Sequence, residues 1–269
     1  MKTAIISDIH SNPTALQTCI EDAERKGCTR FVCLGDIVGY GYDPNACIAI
    51  CRKMEKDGRM LCIMGNHDAG LVGRLPHTWF SYVAKQGIER QTPIVSDEDK
   101  KWLDDLPYKE VEGVGIGCRV AYAHGTYEFP ERFDYINYEG EAFHEFPSLR
   151  RDKVQMLFVG HTHLANWFSQ SPKNLWNIKE GFIDIEDISS IALDSNDIAI
   201  VNAGSVGYPR NQPYSIYCIY DDEKKTATHR VLPFDFADYR QKMTAAGIDI
   251  PLWLESRERE AEKRPVLYK

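Results

Sequence analysis

Along the first two thirds of the chain, short apolar runs alternate with amphipathic stretches. Residues 4–7 read as a buried strand, and Asn12-Pro13 then opens a helix in which Leu16, Cys19, Ile20 and Ala23 recur at helical spacing before Gly27 ends it. Residues 31–34 repeat the strand, Asp43-Pro44 caps a second helix with Ile48 and Cys51 on one face, and residues 60–64 supply a third strand. Strands alternating with helices predict a parallel sheet in an α/β fold. Two later apolar runs, 119–123 and 155–159, add strands to it. From about residue 165 the pattern turns β-rich, with strands expected over 165–169, 182–185, 198–201, 215–220 and 226–232, and these predict a second, mainly antiparallel sheet. Packed together with helices outside, the elements give an α/β architecture, a four-layer α-β-β-α sandwich of two mixed sheets flanked by helices. Residues 1–234 are expected to form this domain. Residues 235–269 are expected to be a charged helical extension packed on it or trailing from it, with 255–264 as an exposed helix.

Five apolar runs end in polar clusters: Asp8/His10, Gly35-Asp36, Gly65-Asn66-His67-Asp68, His124 and Gly160-His161-Thr162-His163. These positions fall at the carboxyl ends of the strands, the edge at which α/β sheets meet their ligands. Asp, His and Asn offer hard oxygens and borderline nitrogens, a set that suits a divalent ion better than a thiolate site does. Singly, each has a plain structural reading: His10 as a hydrogen-bonded histidine, Asp8 or Asp36 as a cap or turn residue, Gly35, Gly65 and Gly160 as strand terminators. Jointly, they spell a two-metal hydrolytic site.

The 269 residues lie within the range of a single α/β domain, and the formal net charge of -8 argues against extended nucleic-acid binding, which needs a surplus of Lys and Arg. An acidic chain that handles phosphate must take positive charge from elsewhere, and bound metal ions supply it. The apolar length near the N-terminus is short for a signal peptide, and no stretch reaches the ~18 apolar residues that cross a bilayer, so a soluble, cytoplasmic protein without a membrane partner is expected. Of the eight cysteines, Cys33, Cys62, Cys118 and Cys218 lie in strand-like runs and Cys19, Cys47 and Cys51 on apolar helix faces, which predicts buried free thiols.

In their order along the chain, Asp8-x-His10, Gly35-Asp36, Gly65-Asn66-His67-Asp68, His124 and Gly160-His161-x-His163 resemble the calcineurin-like metallophosphoesterases over most of the sequence. The runs Gly35-Asp36-Ile37-Val38-Gly39-Tyr40-Gly41 and Gly204-Ser205-Val206-Gly207 further resemble the bacterial and archaeal small-phosphodiesterase branch. The resemblance implies two divalent metal ions (Mn, Fe, Zn or Ni), one held by Asp8, His10, Asp36 and His163, the other by Asp36, Asn66, His124 and His161, with Asp36 bridging. It also implies hydrolysis of small phosphodiesters or phosphomonoesters by a metal-bridging hydroxide, with His67 assisting the leaving oxygen, Asp68 orienting its imidazole and Asn66 close to substrate. Dinucleoside polyphosphate hydrolysis and protein phosphatase activity are alternatives on the same ligands, and a scaffold that has lost turnover is the non-enzymatic one.

Several residues carry two readings. Asn12 is placed to touch substrate or to cap the helix that begins at Pro13. Arg210 is placed for a bidentate phosphate contact or a structural salt bridge. The long segment 125–152, with Tyr127, Phe129, Phe133, Tyr135 and Tyr138, is placed to cover the cleft and choose the leaving group, or simply to pack. His77, His144 and His229 match no cluster and read as surface or structural histidines. Oligomeric state is not legible.

Overall fold

The computed structural model describes residues 1–113, 119–182, 190–192 and 197–263. In chain order, its elements are β1 (Lys2–Ile6), α1 (Pro13–Arg25), β2 (Arg30–Cys33), α2 (Pro44–Lys56), β3 (Met60–Cys62), α3 (Asn66–Leu71), α4 (Tyr82–Gln91) and α5 (Asp97–Asp104). There follow β4 (Lys109–Glu112), β5 (Arg119–Ala123), α6 (Glu139–Arg151), β6 (Val154–Val159), β7 (Asn166–Ser171) and β8 (Asn174–Phe182). The remainder is β9 (Ser190–Ala192), β10 (Ile198–Asn202), β11 (Tyr214–Asp221), β12 (Thr226–Pro233), α7 (Phe236–Ala245) and α8 (Trp253–Glu262). Expected strand positions 183–185, helix residue 264 and Cys118 lie outside the described residues.

Two mixed sheets form the centre, ordered β3-β2-β1-β11-β12-β9 and β4-β5-β6-β10-β7-β8, and helices cover both outer faces. One expectation is corrected. The β-rich second half does not make a sheet of its own. β11 pairs antiparallel with β1, while β10 pairs in parallel with β6 and antiparallel with β7, so each sheet draws strands from both halves. The free edges of β1 and β6 present backbone donors and acceptors that must be paired when buried, and the later strands pair them.

Each central strand is apolar on both faces. In β1, Ala4 and Ile6 face the layer of α1 and α2, whereas Ile5 turns inward with Val32, Tyr122, Phe158 and Val201 between the sheets. In β6, Leu157 and Val159 meet Ala142, Phe146 and Leu149 of α6. Full burial of such a side chain contributes about 1.5–3 kcal/mol, which is why these strands read as continuous apolar runs rather than alternating ones.

The helices after β1 and β2 start where their caps stand: Asn12 Oδ1 accepts from Ala15 N at 3.1 Å and Asp43 Oδ1 from Ala46 N at 3.0 Å, each followed by proline at the first helical position. α7 and α8 bury Phe236, Tyr239, Met243, Leu254 and Ala261 in the same cluster as Leu16, Tyr208 and Tyr217. The seven described cysteines are buried and unpaired, in agreement with the expectation for those assigned from the sequence. No described helix is long and apolar enough to cross a membrane.

Candidate metal centre

Five strand ends, those of β1, β2, β3, β5 and β6, and the loop after β10 converge on one spot. Past β1 and β2 the two chains remain tied, Asp8 N to Gly35 O at 3.2 Å, His10 N to Asp36 O at 2.9 Å and Ser11 N to Ile37 O at 2.9 Å. Gly207 N donates to Asp8 O at 2.9 Å, His161 N to Asp8 Oδ2 at 3.1 Å, and Gly160 N to His124 O at 3.0 Å, which brings in the ends of β5 and β6 and the loop after β10. These ties hold Asp8, His10, Asp36, His161 and His163 at φ of 55°, 46°, 54°, 66° and 60°, the left-handed region that costs non-glycine residues about 1–3 kcal/mol each and persists where surroundings overdetermine it. Gly35, at φ +99°, sits so close to Gly65 that a Cβ would lie 2.3 Å from Gly65 N, so the loops carrying Asp36 and Asn66 touch only because both positions lack a side chain.

Three histidines have their tautomers set by carbonyl oxygens. Nδ1 lies 3.0 Å from Val38 O in His10, 2.8 Å from Leu34 O in His124 and 2.7 Å from Tyr208 O in His163. A carbonyl only accepts, so each Nδ1 carries a proton and each Nε2 directs a lone pair inward. The inward nitrogens meet carboxylates: His163 Nε2 is 3.3 Å and His10 Nε2 3.7 Å from Asp8 Oδ1, and Asp36 Oδ2 is 3.6 Å from His10 Nε2 and 3.3 Å from His124 Nε2. His124 Nε2 also faces Asn66 Oδ1 at 3.2 Å. Asp8, His10 and His163 place their ligand atoms within 4.8 Å of one another, as do Asp36, His124 and His161. All seven expected ligands therefore share one cluster, with Asp36 Oδ2 facing both halves.

The donor set fits a pair of dications. Asp8 Oδ1 is buried with no hydrogen-bond partner, and lone pairs of nitrogen and oxygen point at one another across distances at which only a positive charge makes the contact favourable. In the absence of a metal, protons take part of that role. Burial, the largest influence on His124, pushes its imidazole down, yet Asp36 and Asp8 outweigh it and hold the group at about 9. Burial takes His67 and His161 down to about 3. Burial also opposes ionisation of Asp8 and Asp36, but His163 and His10 for the first, and His124 and His67 for the second, keep both below the usual carboxylate range.

Residues 1–225 match the calcineurin-like phosphoesterase superfamily domain. The chain belongs to that superfamily. An uncharacterized protein of Methanocaldococcus jannaschii is 31% identical over 257 residues, spanning 94% of this chain and 96% of that one. The crystal structure of a metallophosphoesterase from Sphaerobacter thermophilus covers 96% of this chain and 98% of its own at 28% identity and a TM-score of 0.75. A hypothetical protein from Pyrococcus horikoshii shares the fold over 94% of this chain and 95% of its own, with 17% identity and a TM-score of 0.69. Calcineurin-like phosphoesterases depend on a dinuclear metal centre, in keeping with the clustered ligands here.

One expected role is corrected and one open reading is decided. Asp68 does not orient the His67 ring: its carboxylate accepts from the backbone N–H groups of Asp36 (2.8 Å), Ile37 (3.0 Å), Val38 (3.2 Å) and Gly65 (3.0 Å), so it fixes the turn that presents Asp36. Asn12 is spent on structure, its Oδ1 capping α1 and its Nδ2 donating to Gly207 O at 3.1 Å, and it is 2% exposed. His67 and Arg210 line a cavity of about 150 Å³ that opens on Asp36, Asn66, His161 and His163. The Arg210 guanidinium has no ion-pair partner among the described residues. His77 bonds Gly70 O at 3.2 Å and His229 bonds Asn202 O at 2.6 Å, as structural histidines do, and His144 is exposed.

Groups behind the ligands carry no mark in the sequence pattern of the clusters themselves. Asn202 Nδ2 donates to Gly160 O at 2.7 Å and Thr162 Oγ1 at 3.0 Å, gripping the turn that bears His161 and His163. Gln91 Oε1 accepts from Ser11 Oγ at 3.1 Å and Gly39 N at 2.7 Å, and its Nε2 donates to Gly41 O at 3.0 Å. A signal existed for Gln91: it continues the buried face of α4 formed by Ala84, Gly87 and Ile88, where a lone amide needs a polar partner.

Proposed function

We propose that the chain hydrolyses small phosphodiesters or phosphomonoesters, with Asp8, His10, Asp36 and His163 holding one divalent ion and Asp36, Asn66, His124 and His161 the other. A bound pair of dications polarises the phosphoryl oxygens and makes water nucleophilic near neutral pH. The remaining work falls to the chain. Asp36 keeps its orientation because its Oδ1 accepts from His67 N at 2.8 Å, leaving Oδ2 for both halves of the centre. Arg210, half-buried in the cavity wall, faces the phosphoryl group as a planar cation, in keeping with the fork geometry by which guanidinium pairs with phosphate. The His67 ring, neutral near pH 7 because of its burial, donates an N–H to the departing ester oxygen.

The observation that carries this reading is the convergence of the Nε2 atoms of His10, His124 and His163, each with its Nδ1 committed to a backbone carbonyl, on the carboxylates of Asp8 and Asp36 at the floor of an open cavity. It is tested by stripping the purified chain with chelator, restoring Mn or Zn, and assaying an aryl phosphodiester, an aryl phosphomonoester, a dinucleoside polyphosphate and a phosphopeptide. Metal-restored turnover of the small esters is expected. Selective turnover of the phosphopeptide overturns the small-substrate assignment, and turnover of none overturns the enzyme.

A further inference from the structure

The cavity of about 150 Å³ accommodates a phosphoryl group and few further atoms, well below the ~300 Å³ at which pockets begin to enclose whole small ligands. The alcohol portion of a substrate must therefore leave across the rim. Two large side chains stand there outside the packed core. Trp79 is 67% and Tyr135 47% exposed, and both line the cavity. The indole N–H of Trp79 and the phenol of Tyr135 have no hydrogen-bond partner among the described residues.

Each ring is carried by a segment anchored at the site. Trp79 precedes Phe80, whose ring meets the His67 imidazole edge-on at 5.4 Å. Tyr135 follows Phe133, which is edge-on to His124 at 5.9 Å, and it stacks on His161 at 4.1 Å with planes 6° apart. Isolated exposed aromatics are ordinary on protein surfaces. Here two separate segments each anchor an aromatic residue against a site histidine and present a second, exposed ring at the mouth of the same small polar cavity.

Resting on the reading above as a phosphoester hydrolase, we propose that Trp79 and Tyr135 form a leaving-group subsite that selects phosphoesters of planar aromatic alcohols or nucleoside-like groups over aliphatic ones. The rings offer flat, rigid apolar area at little entropic cost, and stacking on such area tolerates any π-face.

The test uses the metal-loaded full chain and two non-hydrolysable competitive inhibitors, benzylphosphonate and butylphosphonate, which present the same phosphonate to the metals and so remove leaving-group acidity from the comparison. Benzylphosphonate is expected to inhibit about fivefold more tightly or better, in line with measured stacking energies. The preference is expected to shrink in Trp79→Ala and in Tyr135→Leu, and quenching of tryptophan fluorescence by benzylphosphonate to disappear in Trp79→Phe. Equal inhibition by the two compounds, or a preference that survives both substitutions, overturns the subsite while leaving the hydrolase reading intact. Failure of every ester to turn over removes the hydrolase reading and the subsite with it. Both residues are exposed, so the variants keep their fold.

Discussion

His10 and His163 face each other Nε2 to Nε2 at 3.3 Å, with ring planes 14° apart, and each has committed its Nδ1 proton to a backbone carbonyl. Two lone pairs pointed at each other beside the unpaired Asp8 Oδ1 are mutually repulsive without a cation. Metal binding therefore relieves strain in the folded state, and a ligand that binds only the folded chain raises its stability by about 2.7 kcal/mol at a hundredfold excess over its Kd. The chelated protein should melt several degrees lower than the Mn-loaded one, and His163→Ala should blunt the difference. Identical melting curves with and without metal would count against the arrangement.

His67→Ala should keep its metals and lose about 10²–10⁴-fold in kcat, because the backbone N–H that holds Asp36 survives the substitution while the ring does not. Gly39→Ala should do similar damage from behind: Gly39 has φ +89°, and a Cβ there would lie 2.2 Å from His67 Nδ1. Metal analysis alongside steady-state kinetics separates the two effects. Full activity in both variants removes His67 from the chemistry.

Asn202→Ala removes one of the two donors to Gly160 O, which keeps Thr162 N at 2.7 Å, and one of the two to Thr162 Oγ1, which keeps Leu164 N at 3.1 Å. Groups that hold metal-ligating residues in place typically account for about 10–100-fold in metal affinity or activity. A competition titration with a fluorescent chelator should show weakening of that order, and unchanged affinity would mean that the turn bearing His161 and His163 holds its shape unaided.

Away from the centre, Asp22 of α1 accepts from Tyr217 Oη at 2.8 Å and from Arg230 Nε at 3.2 Å. Burial, the largest influence, pushes its carboxyl up, but the bonds from Arg230 and Tyr217 together hold it below the ordinary range. A carboxylate depressed on folding contributes stability that is present above the unfolded pKa of about 4 and is lost as pH falls through the folded value. Asp22→Asn should accordingly lower Tm near pH 7 and flatten its fall between about pH 5 and 3. Parallel acid-induced losses in the two proteins would contradict this assignment.

The candidate ligands were legible because each follows an apolar strand on the edge where an α/β sheet meets its ligands, so Asp8, Asp36, Asn66, His124, His161 and His163 announce themselves in order. The division of strands between sheets was not. Residue Lys2 pairs with Asp221, a partner chosen by which sheet edge remains open in three dimensions rather than by any local pattern. β4 and β8 also escaped, for their sequences KEVE and NLWNIKEGF lie at sheet edges and carry no continuous apolar run. The role of Asp68 was misread for a related reason. Its neighbour in sequence is His67, but its carboxylate points to the turn after β2, and sequence adjacency says nothing about which of the two it meets.

The central claim is that these distant loops hold two metal ions around Asp36. Its most direct test is the equilibrium metal content of the native chain, dialysed against excess Mn and measured by elemental mass spectrometry against protein concentration. Two ions per chain are predicted, falling to one or fewer in Asp36→Ala; a plateau at one ion or none in the native chain contradicts the account.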